Sequence, residues 1–318
     1  MPLWLSESDV HHALAMDELI DAMETALAAF SSGRVIQPVR SVLEFRTGCF
    51  FGIMPACDPG GRLMGAKLVT VVPDNLSRGL PSHQAIIALF DATTAELLAV
   101  TDGRYITESR TAAVSAVSAR HLARADAAVL AILGTGVQAR SHLEALPLVR
   151  GFREIRVWSP NTGHVRAFVA NAPRPLRAAA SAEEAVRGAD VVVLATSSTT
   201  PVIRSEWIAP GSHVIAVGAC RPNHREMDGA LLARATLVVD SRAAAMVEAG
   251  DILLAMAEGH ITADRIHAEL GEIVAKPSAG SGEITIFKSL GLAIEDVVAA
   301  GLAYRSAQSA GRGTQVQL

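Results

Sequence analysis

The stretch Ala128-Val129-Leu130-Ala131-Ile132-Leu133-Gly134-Thr135-Gly136-Val137-Gln138-Ala139 constrains the fold of this chain more than any other. An apolar run with no polar alternation suits a strand covered on both faces. It passes straight into Gly134-x-Gly136-x-x-Ala139, the spacing of a dinucleotide-binding turn with alanine in the last slot. The first glycine permits the tight bend, and the second lets the backbone approach a pyrophosphate. The small third residue packs the following helix on the strand, so its free N–H groups face the phosphates. Residues 138–146 read as that helix, which makes Gly134, Gly136, Val137 and Gln138 candidate cofactor contacts.

Beyond the turn the pattern alternates between strand and helix. Strands are predicted over residues 155–158, 189–195, 214–217 and 237–240, with helices over 165–170 and 182–187. Such a rhythm implies a parallel sheet with helices on both faces. NAD-specific sites carry Asp or Glu at the end of the second strand to bond the ribose 2′-hydroxyl. Here Ser159-Pro160-Asn161-Thr162 occupies that place, and the nearest cations are His164 and Arg166. With no carboxylate to repel a 2′-phosphate, the expected cofactor is NADPH, with NADH possible, and Ser159, Asn161 and Thr162 join the candidate contacts.

The N-terminal third has another character. Residues 17–30 place Leu19, Ile20, Met23, Leu27 and Phe30 on one helical face, which Gly33 ends. Short β runs follow at 39–43, 49–53, 64–72 and 85–90, broken by Pro38, Gly48, Pro59-Gly60-Gly61 and Asp74-Asn75. This reads as an α+β domain. Three cations stand out. Arg40 follows Pro38, Lys67 interrupts an apolar strand, and Arg110 falls at the start of a small-residue helix over 109–119 that Thr107 is placed to cap. Any one could be a surface cation with a buried stem, but Lys67 has only apolar or small neighbours. The N-terminus of the 109–119 helix, beside Arg110, suits an anion. The chain closes with residues 284–291 and a helix carrying Ile294, Val297, Val298 and Leu302, ended by Gly311 and a polar tail expected to fray.

Bulk properties exclude several classes. A length of 318 residues suggests roughly two domains. A net charge of −4 without a basic block argues against nucleic acid. No apolar run reaches the ~18 residues of a membrane span, and residues 1–8 lack the features of a signal peptide. Cys49, Cys57 and Cys220 form neither a disulfide framework nor a zinc knuckle, and the histidines are scattered, so no metal is expected. The expectation is a soluble, reduced, cytoplasmic protein.

Several motifs in order resemble the ornithine cyclodeaminase/mu-crystallin family over nearly the whole chain. They are Gln37-Pro38-Val39-Arg40, Pro81-Ser82-His83-Gln84-Ala85, Asp102-Gly103-x-x-Ile106-Thr107-x-x-Arg110-Thr111-Ala112-Ala113, and residues 133–139. Val217-Gly218-Ala219 with Arg225-Glu226, and residues 285–296, complete the set. Ser82-His83-Gln84-Ala85 and Phe287-Lys288-Ser289-Leu290-Gly291 are closest to the mu-crystallin/ketimine reductase branch. The resemblance implies a Rossmann-type parallel-sheet domain over 113–291, inserted into an α+β substrate and dimerisation domain made of 1–112 and 292–318. It implies a homodimer, with the active site in the cleft. It also implies that Arg40, Lys67 and Arg110 converge on a substrate carboxylate, with His83 and Cys220 as further substrate contacts. Thr111, Thr196 and Ser82 are added to the cofactor set.

The activity this resemblance implies is NAD(P)H-dependent reduction of cyclic ketimines. Examples are Δ1-pyrroline-2-carboxylate and Δ1-piperideine-2-carboxylate, giving L-proline- or L-pipecolate-type products. Lys67 and Arg110 would be catalytic, and Lys67 is the nearest plausible proton donor. Ornithine cyclodeaminases carry an aspartate where this chain has Cys220, and an unperturbed thiol is a poor substitute in proton transfer. Ornithine cyclodeaminase and alanine dehydrogenase or opine-type reactions are therefore secondary readings. A reading of another class is a small-ligand binding protein, since mu-crystallin binds thyroid hormone.

Overall fold

A computed structural model of the chain describes residues 1–276 and 283–317. In chain order the elements of its first part are β1 (Leu3–Leu5), α1 (Glu7–Ala13), α2 (Met16–Ser31), β2 (Ser41–Arg46), β3 (Cys49–Asp58), β4 (Leu63–Val71), β5 (His83–Asp91), β6 (Leu97–Asp102) and α3 (Arg104–Leu122). There follow β7 (Val129–Leu133), α4 (Val137–Ala145), β8 (Glu154–Trp158), α5 (Thr162–Ala170), β9 (Arg177–Ala178), α6 (Ala182–Val186), β10 (Val191–Leu194) and β11 (His213–Ala216). Then come α7 (Gly229–Arg234), β12 (Thr236–Val239), α8 (Arg242–Glu248), α9 (Gly250–Ala257), β13 (Ile266–Glu269), α10 (Leu270–Ala275), β14 (Thr285–Lys288), α11 (Ala293–Ser309) and β15 (Thr314–Gln315). They gather into two compact units: Met1–Arg110 with Gly291–Leu318, and Thr111–Leu290.

The first unit is built on a mixed sheet in the order β15-β1-β6-β5-β4-β3-β2. β1 runs parallel to β6, and the other pairings are antiparallel. On β4 the buried positions alternate as Leu63, Gly65 and Lys67, so the period of two puts the lysine on the inner face. α11 packs on β3, β4 and β5, and α1 and α2 pack on α11. Edge strand β2 is exposed along its whole length, Val42, Leu43 and Phe45 included.

Two expectations for this unit are corrected. The polar tail does not fray: Thr314 and Gln315 pair with Trp4 and Leu3, so backbone groups on the far edge of β1 find partners regardless of side-chain polarity. The helix bearing Arg110 starts at Arg104 rather than 109, because Asp102 Oδ1 accepts the Tyr105 N–H at 2.9 Å and acts as the cap. Thr107 lies inside the helix and donates its hydroxyl to the Gly103 carbonyl at 2.7 Å. Arg110 is therefore an interior residue, and no helix N-terminus lies beside it.

The second unit is the parallel sheet the alternation implies, in the order β13-β12-β14-β11-β10-β7-β8-β9. β7, β10 and β11 are buried at every position, as double-sided cover demands. From β7 the chain winds first to β8 and then back to β10, so the crevice at the carboxyl ends of β7 and β10 is the topological switch point. The sequence pattern does not predict β1, α1, β9, α7 or the elements between Arg242 and Ala275.

Candidate active site

Lys67 is 2% exposed and Arg110 4%, and both reach the same acid at the start of α11. Lys67 Nζ lies 2.7 Å from Asp296 Oδ2, and Arg110 Nε donates to Asp296 Oδ1 at 3.1 Å. Arg110 Nη1 donates to Glu295 Oε2 at 2.6 Å, and Lys67 Nζ reaches the Thr107 hydroxyl at 3.3 Å. Local folding explains each position. β4 alternation points Lys67 inward, and α3 carries Thr107 and Arg110 three residues apart on one face. α11 has no side-chain cap at Leu292; instead the Gln37 side-chain oxygen accepts the Ile294 N–H at 2.8 Å. That anchors the turn that presents Glu295 and Asp296.

The electrostatics of the cluster are uneven. Burial lowers the Lys67 pKa to about 8; Asp296 opposes this, while Arg110 and Arg40 reinforce it. Arg110 is held firmly charged, because Asp296 and Glu295 outweigh its own burial. Asp296 stays below the usual carboxylate range: its burial is overcome by the two cations. His83 opens β5 and has its pKa lowered to about 4 by burial, then by Lys67 and Arg110, so it is neutral at physiological pH. Arg40, half-buried just ahead of β2, is close enough for its charge to act on Lys67. Arg40, Lys67, His83 and Arg110 thus form one neighbourhood, organised on resident acids. The sequence motifs assign Glu295 and Asp296 no role of their own, though an acid pair between Ile294 and Val297 is as anomalous as a lysine inside an apolar strand.

In the second unit the glycine turn has the form its sequence implies. Gly134 has φ +118°, and a Cβ there would lie 2.4 Å from the Ala195 carbonyl oxygen, so no larger residue fits. Gly136 caps α4 with no side chain, and a Cβ on it would meet nothing within 4 Å. The first N–H groups of α4 thus receive no side-chain cap, and Val137 is exposed. The Gln138 Oε1 atom is buried and makes no hydrogen bond. An uncapped helix start and an orphaned acceptor fit a pyrophosphate-bearing ligand with hydroxyls to donate.

Thr111 is buried in α3, and Ser82 precedes β5 in the first unit, its carbonyl accepting the Val72 N–H at 2.7 Å. Ser159 follows β8. Asn161 caps α5, its Oδ1 accepting the N–H groups of Gly163 at 2.9 Å and His164 at 3.1 Å. That bonding uses the Asn161 oxygen within the chain, whereas Ser159 and Thr162 make no such cap. Thr196, just past β10, donates both its N–H and its hydroxyl to Glu226. Cys220 is half-buried against the apolar core, with Sγ 3.4 Å from the Val217 carbonyl oxygen.

Residues 2–311 match the model of the ornithine cyclodeaminase/mu-crystallin family. The chain is 44% identical to the ketimine reductase mu-crystallin of Rattus norvegicus, across 96% of this chain and 97% of that protein. It superposes with a TM-score of 0.95 on the Δ1-pyrroline-2-carboxylate reductase of Thermococcus litoralis, a structure in complex with NADH and L-proline. That match has 37% identity and covers 99% of this chain and 100% of the other. An archaeal alanine dehydrogenase dimer with bound NAD superposes with a TM-score of 0.94 at 34% identity, covering 100% of this chain and 99% of that one. No helix among the described residues is long and apolar enough to cross a membrane.

Proposed function

The chain belongs to the ornithine cyclodeaminase/mu-crystallin family, and from that premise we propose that it is an NAD(P)H-dependent ketimine reductase. Its substrates are cyclic α-imino acids such as Δ1-pyrroline-2-carboxylate and Δ1-piperideine-2-carboxylate, and its products are the corresponding L-amino acids. The observation that carries this reading is the convergence of Lys67 and Arg110 on Asp296, with Arg40 in electrostatic reach. The same chain carries a glycine turn suited to a dinucleotide, and its relatives include a ketimine reductase and a Δ1-pyrroline-2-carboxylate reductase.

In the reaction, the positive neighbourhood of Arg40 and Arg110 holds the substrate carboxylate, each charge-assisted bond contributing roughly 1.5–3 kcal/mol. Asp296 and Glu295 keep Arg110 from swinging, which fixes the ring's orientation. Lys67 in its ammonium form donates a proton to the imine nitrogen, making the ring carbon electrophilic. A pKa of about 8 leaves it charged at neutral pH yet ready to release that proton. The nicotinamide supplies the hydride when bound. The C=N double bond becomes CH–NH, and Lys67 takes its next proton from solvent. Gly134, Gly136, Val137 and Gln138 hold the pyrophosphate, while Ser159 and Thr162 face the ribose with no carboxylate to repel a 2′-phosphate, which favours NADPH.

Cyclodeamination is disfavoured at Cys220, which packs as a small apolar group where that chemistry uses a carboxylate. The exposed edge strand β2 supports a homodimer, since an apolar edge is a template for pairing. Cys49, Cys57 and Cys220 are all free thiols, in keeping with a reducing cytoplasm. The test follows NADPH and NADH absorbance side by side with both imine ring sizes. Turnover with either ring, faster with NADPH, is expected. No turnover with any of the four combinations would overturn the assignment.

A further inference from the structure

Glu226 has no place in the hydride chemistry, yet it is wholly buried at the carboxyl end of the parallel sheet, and each of its carboxylate oxygens serves a different loop. Oε1 accepts the Thr196 N–H at 2.8 Å and the Thr196 hydroxyl at 2.7 Å, in the loop after β10. Oε2 accepts the Gly218 N–H at 2.8 Å and the Ala219 N–H at 3.2 Å, in the loop after β11. The packing leaves no slack: a Cβ on Gly218 would lie 2.5 Å from Glu226 Oε1 and 2.1 Å from the Thr196 carbonyl oxygen. Glu226 is itself tied down, its N–H donating to Asp251 Oδ1 at 2.7 Å and its carbonyl accepting from Val202 at 2.8 Å. Three of the four donors to the carboxylate are backbone N–H groups with no alternative role, so the side chain is needed as an anion with every lone pair committed.

We propose that Glu226 is a positioning residue that clamps the loops after β10 and β11 together and so sets the shape of the dinucleotide site. Loops at the carboxyl ends of strands beside the switch point contact the ligand in such sheets, and the inference rests on the reading of this unit as the dinucleotide domain. Glu226 acts through Thr196, Gly218 and Ala219 and touches no reacting atom.

A structural role and a positioning role separate in Glu226→Gln. The buried charges here are Glu226, Asp251 and Lys288, and the Lys288–Asp251 ion pair at 3.1 Å remains balanced when Glu226 is neutralised. The amide must turn its NH2 toward one of the two loops, where a backbone N–H already points. The expected result is a KM for NADPH raised at least tenfold, a KM for the imine within twofold, and an unfolding midpoint lowered by only a few degrees in a variant that stays folded. Amide exchange at Thr196, Gly218 and Ala219 should accelerate while β10 and β11 stay protected. Should Glu226→Gln fail to fold, Glu226→Asp, which keeps the charge but is one methylene short of spanning both loops, is read the same way. An unchanged KM for NADPH in the folded variant overturns the proposal. Failure of the wild-type protein to bind NADPH or NADH in a fluorescence titration would instead overturn the reading of the domain beneath it.

Discussion

Lys67 and Lys288 are both interior lysines, 2% and 0% exposed, and they are set to opposite purposes. Lys67 has one acid in contact and two arginines in electrostatic range, so burial prevails and its pKa falls to about 8. At Lys288 burial also pulls down, but Asp251 in contact and Glu226 nearby outweigh it and the pKa rises above the ordinary lysine value. Burial alone therefore does not make a proton donor; the sign of the surrounding charge decides. A lysine among cations is poised to release a proton, whereas one among acids is locked as a permanent countercharge. The proposed proton donor is of the first kind, and Lys288, paired with Asp251 at 3.1 Å, is of the second.

The largest effect expected from this contrast is on stability. Lys288→Met leaves Glu226 and Asp251 buried without a cation, which costs roughly 3–5 kcal/mol. The urea midpoint should drop accordingly at pH 7, and the deficit should shrink toward pH 5 as an acid takes up a proton. A variant as stable as wild type would mean that Lys288 is no countercharge. Next in size is Lys67→Met. It should lower kcat/KM for the imine by about 100-fold or more, the scale of a lost general acid, while the dissociation constant for NADPH stays within twofold. If the two variants fail in the same way, by unfolding or by losing cofactor, the distinction between the lysines is gone.

Much of this was legible in the sequence, for a definite reason. Strand burial, the glycine turn and the anomaly of Lys67 are local patterns, each set by a handful of adjacent residues. The Phe287-Lys288-Ser289 run carried the same anomaly and could have been read the same way. What stayed hidden were partners joined only by the fold. Arg110 and Asp296 are 186 residues apart, and Thr196 and Glu226 are 30 apart with no periodicity linking them. The helix start at Arg104 was missed for another reason: Thr107 and Asp102 are both competent caps, and only the backbone path chooses between them. Polarity misled at Thr314–Gln315, because strand pairing is a backbone matter.

The finest distinction between the two lysines is in their response to pH. The proposed mechanism uses Lys67 as an ammonium ion, so kcat/KM should be level at neutral pH and fall about tenfold for each unit above the Lys67 pKa of about 8. Asp296 is the anion that retains this proton. In Asp296→Asn, burial, Arg110 and Arg40 act unopposed, and the limb must move to lower pH, costing severalfold in rate at pH 8 and less at pH 6. Unfolding cannot imitate this, and the sign shows why. An unfolded lysine keeps its proton up to its ordinary value of 10.5, whereas the folded one releases it near 8. Between those values the unfolded state binds more protons, so the contribution of Lys67 to stability rises with pH while activity falls. A limb that stays at the same pH in Asp296→Asn, or moves upward, would show that the group titrating in the rate profile is not Lys67.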